Sequence, residues 1–227
     1  MNASRTSAKK QGSPSESDAA TKTRASEICR RLKKEYPDIR CPLNFSTPLE
    51  LLVASILSAQ CTDARVNLVT PAIFKKYRNA KDWANADPAV LEEEIRTTGF
   101  YRNKAKAIRN CCAEIAERFG GELPESMEDL TTLPGVGRKT ANLLRGYIFN
   151  RPSIVVDTHC IRVSGRLGLT AQKDPEKIER DLISLIPPKE RTGFSHRLIH
   201  HGRMVCQARK PRCTGCFLFD LCPFPDK

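Results

Sequence analysis

Apolar residues along the middle of the chain follow a helical rhythm. Ala105, Ile108, Cys112, Ile115 and Phe119 recur at spacings of 3, 4, 3 and 4, which is one stripe of an α-helix. Gly120-Gly121 closes that segment. Upstream, Leu49 to Ala59 is apolar on nearly every side, the pattern of a fully buried helix, and Ser46-Thr47-Pro48 opens it. Asp63 is placed to cap the next helix, through Tyr77. Asp87-Pro88 signals another start, with proline at the first helical position. Ser126 to Asp129 has the form of a capping box for a short helix. Further helices fit Lys139 to Phe149, Thr158 to Leu167, Pro175 to Ile186 and Glu190 to Cys206. No stretch alternates with period two for long. Ile154-Val155-Val156 is the one strand-like piece, and it is too short to build a sheet on. The expected fold class is all-α, without an internal repeat.

Composition fits an ordinary folded chain. Of 227 residues, 40% are hydrophobic and 28% charged, enough to bury a sizeable core. Met1 to Thr23 is rich in Ser, Ala, Lys and Thr and nearly free of large apolar side chains, so it reads as a disordered, weakly basic tail. No signal peptide and no membrane-spanning apolar run is evident, so a soluble intracellular protein is expected, cytoplasmic or nucleoid-associated (nuclear in a eukaryote), and a monomer.

Charge changes the picture. The formal net charge is +12, which points to a polyanionic partner. Between Pro187 and Cys213, seven basic residues stand against one acid, Glu190, a surplus of six that is half of the whole +12. Clustering of this kind suits a phosphate backbone better than a merely solvated surface.

Ten cysteines divide into two sets. Cys29, Cys41, Cys61, Cys111, Cys112 and Cys160 are scattered and read as small core hydrophobes in a reducing compartment. Cys206, Cys213, Cys216 and Cys222 are separated by six, two and five residues. Four thiols so crowded read as a metal site, and spacing alone allows either zinc or an iron–sulfur cluster. The first loop of this set carries Arg209, Lys210 and Arg212 with no acid. Such a loop, folded by the metal, presents cations to a nucleic-acid backbone. His196 and His200, one helical turn apart, lack an evident third ligand, and packing and hydrogen bonding are their expected roles.

Leu133-Pro134-Gly135-Val136-Gly137 joins two of the expected helices. Glycines at alternate positions let the backbone turn sharply and approach a ligand. The helix that follows starts at Arg138-Lys139, and its free amides form an anion site suited to phosphate. Spacing alone is equally compatible with a tight helix–helix turn. Lys139, beside this turn, suits either another phosphate contact or nucleophilic chemistry. The second role needs an uncharged amine, which partial burial and neighbouring cations such as Arg138, Arg145, Arg162 and Arg166 would favour. Asp157 is the one acid among six basic residues between Arg138 and Arg166. It precedes Thr158-His159 and suits a helix N-cap as well as a catalytic carboxylate.

The string Leu-Pro-Gly-Val-Gly-Arg-Lys-Thr-Ala, residues 133 to 141, resembles the helix-hairpin-helix of the endonuclease III family of DNA glycosylases. Val156-Asp157-Thr158-His159 is similar to that family's aspartate motif, and the four-cysteine spacing matches as well. Similarity runs from about Ile28 to Cys222. The resemblance implies Lys139 as nucleophile and Asp157 as catalytic carboxylate. It implies phosphate contacts from the amides of Gly135, Val136 and Gly137, and a [4Fe–4S] cluster on Cys206, Cys213, Cys216 and Cys222. It also implies insertion of Gln60, from Ser58-Ala59-Gln60, and Phe100, from Thr98-Gly99-Phe100-Tyr101, into the gap left by a flipped base. Many relatives carry leucine where this chain has Phe100. Without the resemblance, Gln60 reads as a helix-end amide and Phe100 as a core aromatic. Asp63 is placed to face the lesion pocket.

Two domains with a cleft between them follow from the same resemblance. A six-helix barrel covers 41–151, with the hairpin at about 127–146, and 24–40 with 152–227 forms the cluster domain. The implied activity is bifunctional: removal of oxidised pyrimidines from duplex DNA, then strand cleavage 3′ to the lesion by β-elimination. The implied partner is duplex DNA with damaged bases or abasic sites. An adenine glycosylase without strand cleavage is disfavoured by Lys139 and by the lack of a large C-terminal recognition domain. A non-catalytic DNA-binding or redox module would leave an abasic site uncut.

Overall fold

The computed structural model describes residues 18–224. Among them there are only helices and connecting turns. Helix α1 spans Asp18–Glu35, so the tail expected to reach Thr23 is helical from Asp18 onward. Residues 18–23 are mostly small or long-chain polar types that fit a helix when its inner face packs, and Ala25, Ile28 and Leu32 supply that face with no exposed surface. The rest of the expected tail lies outside the described residues.

Helix α2 (Pro48–Leu57) is buried along nearly its whole length, as its all-round apolar sequence requires. Thr47 and Glu50 close it with a reciprocal capping box. Helix α3 (Asp63–Lys76) starts one residue earlier than expected: Thr62, not Asp63, is the cap, its hydroxyl accepting from the Arg65 amide. Asp63 thereby becomes the first helical residue, with its carboxylate free to face elsewhere. Helix α4 (Ala80–Ala84) was not anticipated. Asn79 and Asp82 cap it reciprocally, and Trp83 anchors it against Tyr77 and Phe74. Helix α5 (Pro88–Glu94) begins at the expected Asp87 cap. A single 3-10 turn, Arg96–Thr98, leads into α6 (Tyr101–Arg118).

Helix α7 (Met127–Thr132) and α8 (Arg138–Tyr147) flank the hairpin. The buried segment Ile154-Val155-Val156 forms no strand among the described residues, and it leads into α9 (Thr158–Arg166). Helices α10 (Pro175–Leu185) and α11 (Arg191–Met204) follow.

Helix α2 packs against α3, α6 and α8, while α6 also packs against α4 and α5. Helix α11 packs against α9 and α1, and touches α8. The first helix is therefore stitched to the last segment of the chain. Arg31 donates to the Phe217 carbonyl at 2.9 Å and to both carboxylate oxygens of Asp220 at 2.6 and 2.9 Å. Four of the scattered cysteines, Cys29, Cys111, Cys112 and Cys160, are buried as expected, whereas Cys41 and Cys61 are only half-buried. No helix among the described residues is long and apolar enough to cross a membrane.

Candidate active site

Residues far apart in sequence meet at one cleft of about 360 Å³. Lys139 from the first turn of α8 and Asp157 from the start of α9 both line it, together with Gln60, Asp63, His196 and Arg203. Asp63 faces this cleft as expected. Its Oδ2 meets Arg203 Nη1 at 2.9 Å, which ties the start of α3 to α11 across the opening.

Asp157 has two tasks. Its Oδ1 accepts from the His159 and Cys160 amides, each at 2.8 Å, so it is an N-cap. Its Oδ2 lies 3.2 Å from His159 Nδ1. Its side chain keeps 13% of its surface exposed. The cap holds the carboxylate at the cleft wall in a single orientation.

Lys139 makes no hydrogen bond or ion pair among the described residues, and it is exposed. The partial burial expected for it is therefore not supplied by this chain. Nor do most of the suggested neighbours crowd it. Arg138 is held by Glu179 at 2.7 and 3.2 Å. Arg162 donates to the carbonyls of Gly202 and Cys206, and Arg166 to those of Gln207 and Ala208. Arg40 and Arg203, which the sequence did not single out as its neighbours, line the cleft with the lysine.

Packing and hydrogen bonding are the roles expected of His196. It does both, edge-on to Tyr147 and bonded to Thr192, and it also lines the cleft. Its Nδ1 lies 2.9 Å from the Thr192 carbonyl, which makes Nδ1 the protonated nitrogen. Burial holds its pKa below the ordinary 6.5, opposed by the Thr192 bond and by Asp157, and aided by Lys139 and Arg203. Its place on an otherwise buried helix face gave no sign of this in the sequence.

The hairpin turns at Gly135, where φ is +79°. A Cβ there would sit 3.1 Å from the Ala107 Cβ, so glycine is required both for the turn and for the close approach to α6. Helix α8 has no side-chain cap at Gly137. Among the described residues, nothing accepts from the Gly135 or Gly137 amides. Val136 differs from the expectation. Its amide donates to Leu133 at 3.0 Å and its side chain is buried, so the turn itself uses its donor.

Gln60 and Phe100 are both exposed, and Phe100 keeps 62% of its surface. The core-aromatic reading of Phe100 is thus excluded. Both adopt left-handed backbone, at φ of 53° and 49°. So does Lys210, at 51°, in the exposed loop with Arg209 and Arg212. Side chains rarely adopt this region without a constraint, and such residues concentrate at functional sites.

The four clustered cysteines line a second cavity with Val205, Leu218 and Phe219. Burial pushes the Cys216 thiol up; a bond from the Leu218 amide opposes this, and the charges of Cys206, Cys222 and Cys213 raise it further. Four thiols lining one apolar cavity supply the donor set that a thiolate-bound metal group needs. His201 Nε2 lies 3.5 Å from Cys216 Sγ, and Arg166 donates to Cys206 Sγ at 3.3 Å. Among the described residues, no three His, Cys, Asp or Glu side chains are gathered closely enough to hold a single ion.

Residues 53–188 match the HhH-GPD superfamily of base excision DNA repair proteins. An endonuclease III from Synechocystis sp. is 54% identical over 206 residues, covering 90% of this chain and 94% of that protein. This chain belongs to the endonuclease III family. Two solved endonuclease III structures, a non-covalent DNA complex and a trapped covalent DNA intermediate with an estranged adenine, each superpose with a TM-score of 0.85 at 42% identity. In both cases the match covers 89% of this chain and 95% of the other. The endonuclease III fold thus accounts for nearly all of the described chain.

Proposed function

We propose that this endonuclease III homologue is a bifunctional DNA glycosylase and abasic-site lyase of base excision repair, acting on oxidised pyrimidines in duplex DNA. One observation carries the assignment of its residues: Lys139 and Asp157, from separate helices, face one cleft beside a hairpin with unpaired amides. Relatives solved in complex with DNA, one of them trapped covalently, support a covalent course.

The domain division follows the cleft. The barrel, 41–151, contributes Lys139, and the second unit, 24–40 with 152–227, contributes Asp157. Gly135 and Gly137 amides, with the first turn of α8, grip a phosphate and set the register. The target nucleotide leaves the stack and enters the cleft. Lys139 Nζ attacks C1′ while the glycosidic bond breaks and the base departs with the bonding electrons. Asp157 takes a proton from the amine and balances positive charge developing on the sugar. The sugar ring opens to a protonated imine, C2′ gives up a proton to water, and the C3′–O bond breaks as the 3′ phosphate leaves with its electron pair. Gln60 and Phe100 fill the vacated space in the duplex. Arg209, Lys210 and Arg212 contact the backbone of the same DNA.

Cys206, Cys213, Cys216 and Cys222 would hold a [4Fe–4S] cluster. When bound, the cluster supplies a cross-link that folds the 207–212 loop and an electron-transfer centre, with no part in the sugar chemistry. Work on DNA places the protein inside the cell.

Borohydride should trap wild-type protein on an oligonucleotide with an abasic site, and Lys139→Ala should give no adduct. A full yield from Lys139→Ala would assign the nucleophile elsewhere.

A further inference from the structure

Lys104 lies on α6 and keeps only 5% of its surface exposed. Buried lysines normally have a carboxylate partner. Among the described residues, this one has none. Its Nζ instead donates to two backbone carbonyls, Leu57 and Thr98, each at 2.7 Å. Leu57 is the last residue of α2 and Thr98 the last of the 3-10 turn. Gln60 follows the first three positions later, and Phe100 follows the second two positions later. One ammonium therefore joins the roots of both loops whose tips are exposed and left-handed.

The chemistry of the contact is specific. The C-terminal end of a helix leaves carbonyls without intrahelical partners and carries partial negative charge, which suits a cation. Nearby Ala54 and Ile56 carbonyls accept from Ser58 and Ala59. The Leu57 carbonyl has Lys104. An apolar side chain of equal length would fill the space and leave both buried carbonyls without this donor. Burial pushes the amine down from the ordinary 10.5, with Cys61 opposing.

We propose that Lys104 is a positioning residue that fixes the spacing between the Gln60 and Phe100 loops, so that both tips enter the gap of one extruded nucleotide together. This rests on the reading that both side chains enter the duplex. Loops tethered to one cation need no further ordering when DNA arrives, and ordering two tips separately would slow base extrusion.

The test compares two substrates with Lys104→Met and Lys104→Gln in the full chain. The first is a duplex with one thymine glycol opposite 2-aminopurine; the second is a single-stranded abasic oligonucleotide, which has no gap to fill. Expected results are a loss of about tenfold or more in single-turnover base release from the duplex, and loss of the 2-aminopurine fluorescence change on binding. Borohydride trapping on the single strand should stay within about twofold. Unchanged duplex rates, or equal losses on both substrates, would overturn the proposal. Gln60→Ala and Phe100→Ala are measured alongside. If they lose duplex activity while both Lys104 variants keep it, the tether alone is wrong. If they keep full duplex activity, the insertion reading fails and the tether with it.

Discussion

The Asp157 Oδ1 atom lies 2.8 Å from the Cys160 amide, so a residue at the cleft wall also closes the N-terminus of α9. Substitution can separate its two tasks. Asparagine still caps, whereas alanine does not. Asp157→Asn should leave stability within about 0.5 kcal/mol of wild type, and Asp157→Ala should lose about 1 kcal/mol. Both should lower base release by about 100-fold or more. Urea unfolding and single-turnover assays on the same preparations check this. An active Asp157→Asn would mean that the cap is all the residue provides.

His196 gives a pH dependence. Its folded pKa is below the ordinary 6.5, chiefly through burial. Below that value the unfolded chain takes up a proton that the folded chain refuses, so stability falls as pH drops below 6.5. His201, pushed down to about 4 by burial and by His200, acts in the same sense. The useful readout is therefore the difference between proteins. Urea midpoints measured downward from pH 7 should fall less steeply for His196→Gln than for wild type. Parallel slopes would show that the imidazole is not held neutral.

Phe100 combines exposure with left-handed backbone. Glycine adopts that conformation freely. Phe100→Gly should leave the melting temperature unchanged or raise stability by up to about 1 kcal/mol. Base release from duplex DNA should fall by about tenfold or more, because the unstacked gap loses its aromatic wedge. Differential scanning calorimetry and a duplex glycosylase assay report the two effects. A clear loss of stability would place the ring in packing that the structure does not show.

The four-cysteine cavity predicts colour. Protein purified without oxygen should be brown, with a visible thiolate-to-iron charge-transfer absorption band. Cys213→Ser should lose that band and melt earlier. A colourless wild type with one bound zinc would replace the cluster with the alternative metal.

Much of the fold was legible because its signals are local. Stripes such as Ala105–Ile108–Cys112 and caps such as Asp87-Pro88 specify elements within a few residues. Helix α4 escaped because five residues carry too little periodicity, although Asn79 and Asp82 mark its start. Motif strings located Lys139, Asp157 and the cysteines, but not their surroundings. Arg138 reads as a neighbour of Lys139 in sequence, yet Glu179 from α10 holds it. A lysine inside a helix reads as solvated, so nothing local marked Lys104 as buried between two loops. Contacts made by distant segments leave no trace in a pattern of nearest neighbours.

Arg31 binds Phe217 and Asp220 across separations of 186 and 189 residues. Helix α1 therefore cannot make these contacts until nearly all of the described chain between it and Asp220 has been made. Closing so long a loop comes late in folding. The cysteine-bearing segment thus takes part of its support from a helix almost the whole described chain away, so damage to α1 loosens the cysteine loops from a distance.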